Sequence, residues 1–141
     1  MVVLDTDHMS LLEWSGAQGS AILRARLAAL PPAEVLTTII SYEEQVRGWM
    51  AYIARLRSVT QQVDAYRRLH RQLDNYCRIP VLVFDVPAAA TFHQLRRMRL
   101  RIGTMGLKIA AIVLSRETTL RSRKLTDFGQ VPGLQVEDWT A

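Results

Sequence analysis

The sequence is poor in the residues that mark several protein classes. A single cysteine, Cys77, stands among 141 residues, so neither an internal disulfide nor a cysteine-rich zinc cluster can be built. Cys77 has no histidine beside it and reads as buried packing. Long apolar runs are also missing. The most apolar stretch, Ile109 to Leu114, falls far short of the ~18 residues a membrane span needs. The opening Met1-Val2-Val3-Leu4-Asp5 reaches an acid at once, without the basic and then long apolar segments of a secretory leader. No repeat, low-complexity tract or linker interrupts the chain. These absences lead to the expectation of a soluble cytoplasmic protein, one domain over residues 1–141, with no membrane partner.

Acids are the scarcer charge. Eighteen Lys and Arg face thirteen Asp and Glu, for a net charge of +5. The excess is mostly arginine, which pairs well with phosphate, so a nucleic-acid partner is one reading and a solvated basic surface the other.

Apolar periodicity predicts alternating strands and helices. Val2 to Leu4 reads as a buried strand, Ser20 to Leu30 as a helix stopped by Pro31-Pro32, and Val35 to Ile40 as a second strand. Ser41 opens a long helix, and a second helix follows over Thr60 to Tyr76, the two forming a hairpin. Ile79 to Phe84 is a third strand, followed by a helix capped by Asp85 that runs to about Arg99. Thr104 caps an almost wholly apolar helix, Met105 to Arg116. Thr118 to Leu120 and Gly133 to Val136 supply the last two strands. The expected class is α/β, with a mainly parallel sheet of four or five strands, flanking helices and a protruding helical pair.

Ligand sites in such sheets gather beyond the carboxyl ends of the strands. Acids fall there repeatedly: Asp5 and Asp7 after strand one, Glu43 and Glu44 after strand two, Asp85 after strand three, Ser122 and Asp127 after strand four. Convergent carboxylates suit Mg²⁺ or Mn²⁺. Each also has a local reading. Ser41 and Glu44 fit a capping box, Asp85 is most simply an N-cap, Asp7 fits a cap on Met9–Glu13, and Asp127 starts a turn. Asp5 is hardest to dismiss, because a carboxylate ending an apolar strand is costly to bury without a partner. His8, His70 and His93 lack metal spacing. Asp5-Thr6-Asp7 after an apolar strand also fits an aspartyl phosphatase, although the lysine and acidic pair that chemistry needs have no clear place.

Four segments stand out together: Val2-Val3-Leu4-Asp5-Thr6-Asp7-His8, Ile40-Ser41-Tyr42-Glu43-Glu44-Gln45-Val46-Arg47-Gly48, Arg101-Ile102-Gly103-Thr104-Met105-Gly106-Leu107-Lys108-Ile109-Ala110-Ala111, and Asp127-Phe128-Gly129-Gln130-Val131-Pro132-Gly133-Leu134. They resemble the motifs of PIN-domain ribonucleases, in particular VapC-type toxins of bacterial toxin–antitoxin systems. They span nearly the whole chain in the family's order. The resemblance implies a PIN fold and a Mg²⁺- or Mn²⁺-dependent RNA endonuclease. It implies a VapB-like antitoxin and a homodimer, and it carries the family's catalytic and metal-binding acids onto Asp5, Glu44 and Asp127. Asp7 and Ser122 are possible supports. Two positions depart: Gly106 stands where the family has an acid, and Lys124 where Asn or Asp is common. The expected outcome is an impaired nuclease, the alternative being a catalytically dead module that still binds RNA or antitoxin. Arg96, Arg97, Arg99 and Arg101 are candidate RNA contacts. The three acids are expected to converge in one cleft.

Overall fold

The computed structural model describes all residues 1–141. Five parallel strands form one sheet: β1 (Val2–Leu4), β2 (Val35–Thr38), β3 (Val81–Leu82), β4 (Thr119–Arg121) and β5 (Val136–Glu137). Their order is β3-β2-β1-β4-β5. Val2 pairs with both Val35 and Thr119, and Leu4 with Arg121. β1 is buried throughout, as expected for a central parallel strand covered on both faces. Its side chains alternate: Val3 joins one apolar cluster, and Val2 and Leu4 join another across the sheet.

Seven helices cover the sheet: α1 (Thr6–Leu11), α2 (Ser20–Ala28), α3 (Ile39–Arg55), α4 (Val59–Arg78), α5 (Val86–Arg97), α6 (Thr104–Ser115) and α7 (Leu125–Gly129). The larger cluster is built on α6, whose Leu107 and Ile109 to Val113 are all buried. It packs with Phe92 and Leu95 of α5 and with Phe128 of α7. On the opposite face Met9 and Tyr76 join Val2, Leu4 and Val35. As expected, Asp85 caps α5, accepting from the Ala88 N–H at 3.1 Å.

Several expectations need correction. The second strand ends at Thr38 rather than Ile40, because the Thr38 hydroxyl accepts the Ser41 N–H at 3.1 Å and starts α3 there. Ser41 therefore lies inside the helix, and no capping box joins it to Glu44. Asp5, not Asp7, is the N-cap of α1. Gly103, not Thr104, is the N-cap of α6, and it offers no side-chain bond. The last strand, Val136–Glu137, overlaps only the final residue of the expected segment. Cys77 is exposed rather than packed. The inward line of α4 runs through Ala65, Leu69, Gln72 and Tyr76, and the next residue turns about 100° away from it.

Candidate active site

Parallel strands put all their carboxyl ends on one edge. β2 and β4 flank β1 and lead away on opposite sides, so the chain reverses its winding direction beside β1. Such switch points are where open α/β sheets place ligands. Asp5 follows β1 there and is 2% exposed. Its backbone N–H is held by the Arg121 carbonyl at 3.0 Å. Its Oδ1 accepts the Thr6 N–H at 2.7 Å, and its Oδ2 accepts the Ser122 hydroxyl at 2.7 Å. Burial pushes the Asp5 carboxyl above its ordinary range, and the charge of Asp7 pushes it further. The bonds from Ser122 and Thr6 and the charge of Lys124 oppose this without cancelling it.

Asp7 sits one step along α1. Its Oδ2 accepts the Arg123 N–H at 3.0 Å and lies 3.4 Å from the Ser122 hydroxyl. Its Oδ1 lies 2.7 Å from Nδ1 of the fully buried His8. The Trp139 N–H donates to His8 Nε2 at 3.2 Å, which assigns the ring proton to Nδ1 and makes His8 a donor to Asp7. Burial works to raise Asp7, but the bonds from His8 and Arg123 outweigh it and hold this carboxyl below its ordinary range. Adjacent acids are thus pushed in opposite directions.

Glu44 comes from α3. Its Oε1 accepts the Thr6 hydroxyl at 2.9 Å, across 38 residues of sequence. Thr6 therefore contacts Asp5 through its N–H and Glu44 through its hydroxyl. One turn on, Gln45 donates to Ser10 at 2.8 Å. The two bonds join α1 to α3 along one side of the site.

Asp127 is half-buried in the first turn of α7 and is not part of this hydrogen-bond network. It is tied to it only through the backbone: the Phe128 N–H bonds the Lys124 carbonyl, and the Lys124 N–H donates to Ser122 at 3.0 Å. No three Asp, Glu, His or Cys side chains stand close enough to form a metal cage. Gly106 lies in the first turn of α6. A Cβ there would stand 3.1 and 3.2 Å from Ile102 and 3.7 Å from Phe128. Arg96, Arg97, Arg99 and Arg101 are all exposed. Arg96 lies over the Phe92 ring, and Gln130 brackets the Arg101 backbone with bonds of 3.0 and 3.1 Å.

Sequence reasoning gave no role to Thr6, and found in His8 only a histidine beside the acids without metal spacing. The signal for Thr6 was the i, i+4 pair Thr6 and Ser10, which puts two hydroxyls on one face of α1. The bond from the Trp139 backbone to His8 depends on tertiary contact alone.

No family model matches the sequence, and no curated protein matches it. Solved structures do match along the whole chain. A chain of DNA-bound VapBC from Salmonella typhimurium superposes with a TM-score of 0.78 at 22% identity, covering 98% of this chain and 97% of that one. VapBC-1 from nontypeable Haemophilus influenzae gives 0.77 at 21% identity, with 100% of both chains covered. FitAcB from Neisseria gonorrhoeae gives 0.73 at 23% identity, covering 99% and 98%. The protein has a PIN-like α/β fold. It is the fold of VapC-type toxin chains, with five parallel strands and seven flanking helices. No helix is long and apolar enough to cross a membrane.

Proposed function

We propose that the chain is a toxin of the VapC type, a Mg²⁺- or Mn²⁺-dependent RNA endonuclease by lineage, weakened by the glycine at position 106. The observation that carries this reading is the Thr6 bridge, which joins Asp5 and Glu44 from separate elements at the switch point of a PIN-like sheet. The donor set fits the ion. It is all oxygen, and Asp5 is buried with no side-chain ion pair to compensate it. Mg²⁺ commonly uses one or two protein carboxylates and fills its shell with water and substrate phosphate, so a closed cage is not required.

Asp5 and Glu44 would hold the ion, with Asp127 reaching it through water. When bound, the ion supplies charge neutralisation at the phosphate and activation of water. Ser122 orients Asp5 by donating to Oδ2, and Thr6 orients Glu44 in the same way. Asp7 accepts from His8 and from the Arg123 N–H, which fixes the loop carrying Ser122. Exposed arginines hold the RNA backbone. The test is cleavage of single-stranded and structured RNA with Mg²⁺ or Mn²⁺, with and without EDTA. Cleavage insensitive to EDTA, or lost equally by D5N and by variants remote from the site, sinks the assignment.

The second reading is a binding module without cleavage, favoured by the packing of Ile102 where an acid at 106 would project. Under both readings the partner is a VapB-like antitoxin. An open apolar groove of about 340 Å³ between α3 and α4, lined by Tyr42, Val46, Met50, Tyr66, Leu69 and Leu73 among others, suits a partner helix or strand. Co-expression with the product of a small reading frame adjoining its gene, followed by size exclusion, tests this. Independent elution counts against it.

A further inference from the structure

Beyond the carboxylates, along the line where α1 meets α3, Arg68 of α4 lies over two indole rings. Its guanidinium carbon stands 4.0 Å from the Trp14 ring centre and 4.6 Å from that of Trp49. Tyr52 meets Trp49 edge-to-face at 5.7 Å. Three aromatic rings and one planar cation thus form a continuous assembly drawn from the loop after α1, from α3 and from α4.

This assembly is not core. Trp14 is 47% and Tyr52 39% exposed. Tyr52 borders an open slot of about 300 Å³, walled also by Ser10, Gln45, Gly48, Trp49 and Arg68, whereas Trp14 lies in the neighbouring cleft that Arg68 shares with Glu13, Asp64 and Arg71. A Cβ on Gly48 would meet nothing within 4 Å, so the slot is open on that side. An exposed indole is costly to hydrate, and Trp14 keeps nearly half of its surface open while Arg68 lies over both it and the half-buried Trp49. The surroundings are basic: Arg67 and Arg71 flank Arg68 on α4, although Glu13 and Asp64 lie on its far side and temper that charge.

The slot is also in register with the candidate active site. Thr6 touches Glu44, and Ser10, one helical turn later, touches Gln45. Four residues of α1 advance about 6 Å. A single strand with one phosphate at Asp5 and Glu44 would carry a neighbouring nucleotide toward the slot.

We propose that Trp49, Tyr52 and Arg68, with Trp14 buttressing Arg68, form a base-stacking subsite for single-stranded RNA, which seats a nucleotide flanking the one at the carboxylates. This rests on the reading of the chain as an RNA-acting protein. Aromatic faces and guanidinium planes accept any unpaired base, whereas bases in a duplex are already stacked and cannot enter. The subsite would favour looped or open RNA with little preference for sequence.

The test is fluorescence anisotropy of a labelled single-stranded oligoribonucleotide and of a blunt duplex of equal length, in EDTA so that cleavage plays no part. W49A should weaken single-strand binding roughly ten-fold and leave duplex binding unchanged. The slope of log affinity against log salt should stay the same, because stacking releases no counterions. W49F, which keeps a ring, should retain most of the affinity. R68K, which keeps the charge and loses the plane, should weaken the single strand several-fold. Wild-type affinity in both W49A and R68K, equal loss for both RNAs, or loss only of antitoxin binding each overturns the proposal. Single-strand binding that responds to W49A in a chain that never cleaves would keep the subsite and remove the nuclease reading. Absence of RNA binding by the unaltered chain removes both.

Discussion

Ile102 fills the space that a side chain at Gly106 would enter: its Cγ1 lies 3.1 Å and its Cδ1 3.2 Å from the position of a Cβ there. The contact is with the end of a flexible, half-buried side chain rather than with backbone, so it yields by rotation at modest cost. An acid in this first turn would meet a helix start that has neither a side-chain cap nor another acid. The dipole then returns about 0.3–1 kcal/mol, and the loss of glycine returns up to ~1 kcal/mol in propensity. These gains and the displacement of Ile102 oppose each other. Gly106→Asp should therefore change stability by no more than about 1 kcal/mol, while conferring or strongly raising Mg²⁺- or Mn²⁺-dependent RNA cleavage. Gly106→Ala adds the same Cβ without the charge and should leave cleavage unchanged. Paired cleavage assays with EDTA controls, and growth of cells expressing each form without antitoxin, read the difference. Equal cleavage by all three forms would show that position 106 is no ligand.

Asp5 and Asp7 give opposite pH dependences. Asp5 binds its proton more tightly in the folded chain, through burial and the charge of Asp7. The folded state then holds more protons than the unfolded one, and this contribution to stability falls as pH rises from about 4 through the raised value. Asp7 is held low by His8 and Arg123, so its contribution is present above about pH 4 and is lost as pH falls below it. Asp5→Asn should thus be more stable than the unaltered protein at pH 7, and the difference should shrink at pH 4. Asp7→Asn should be less stable at pH 7, because the His8 proton and the Arg123 N–H lose a charged acceptor. Urea unfolding at the two pH values checks both signs. Added Mg²⁺ should raise the unfolding free energy of the unaltered chain by about 2.7 kcal/mol at a hundred times the dissociation constant, and leave that of Asp5→Asn unmoved.

The sheet and its helices were legible in sequence because burial imposes periodicity. Val2 to Leu4 can only be a covered strand, and the run from Ile109 to Val113 only a buried helix. Ends were less legible. Ile39 and Ile40 look like strand, yet the Thr38 hydroxyl captures the Ser41 N–H and turns them into helix. Asp5 stood out because an acid ending an apolar strand needs a reason. Ser122 was legible as a residue of the same sheet edge, but its bond to Asp5 exists only because β1 and β4 are adjacent, since 117 residues separate the two. Asp127 remains an inference from motif resemblance, because its carboxylate stays outside the network that links the other acids.

The arginines near α6 make a second charge-based expectation specific. Arg99, two residues past the end of α5, has φ +52°, a left-handed conformation that costs an ordinary residue about 1 kcal/mol and glycine almost nothing. Arg99→Gly should therefore stabilise the fold by roughly that amount while weakening RNA binding. Opposite signs in the two measurements separate a phosphate contact from a structural role. Each phosphate-contacting arginine removed from the set of Arg96, Arg97, Arg99 and Arg101 should lower the salt slope for single strands by about 0.7. An unchanged slope after neutralising all four would assign the cluster to a solvated face.

Gln72 is the odd member of the inward face of α4. It is 1% exposed, and neither its amide nitrogen nor its carbonyl oxygen has a hydrogen-bond partner. It borders the apolar groove between α3 and α4. A buried amide left unpaired costs about 1–3 kcal/mol, and leucine fills similar space without that cost. Gln72→Leu should raise the stability of the isolated chain by on the order of 1 kcal/mol, read as a shift in urea midpoint at constant slope. The expected effect on the complex is the reverse. If the antitoxin segment in this groove offers a peptide group to the Gln72 amide, the leucine variant should bind antitoxin more weakly, by several-fold or more, because the partner's polar group is then buried unpaired. A variant that is both more stable and equally tight would show that Gln72 is silent in recognition and that apolar contact alone seats the partner. A variant that loses stability would show that the amide is satisfied by water in the free protein.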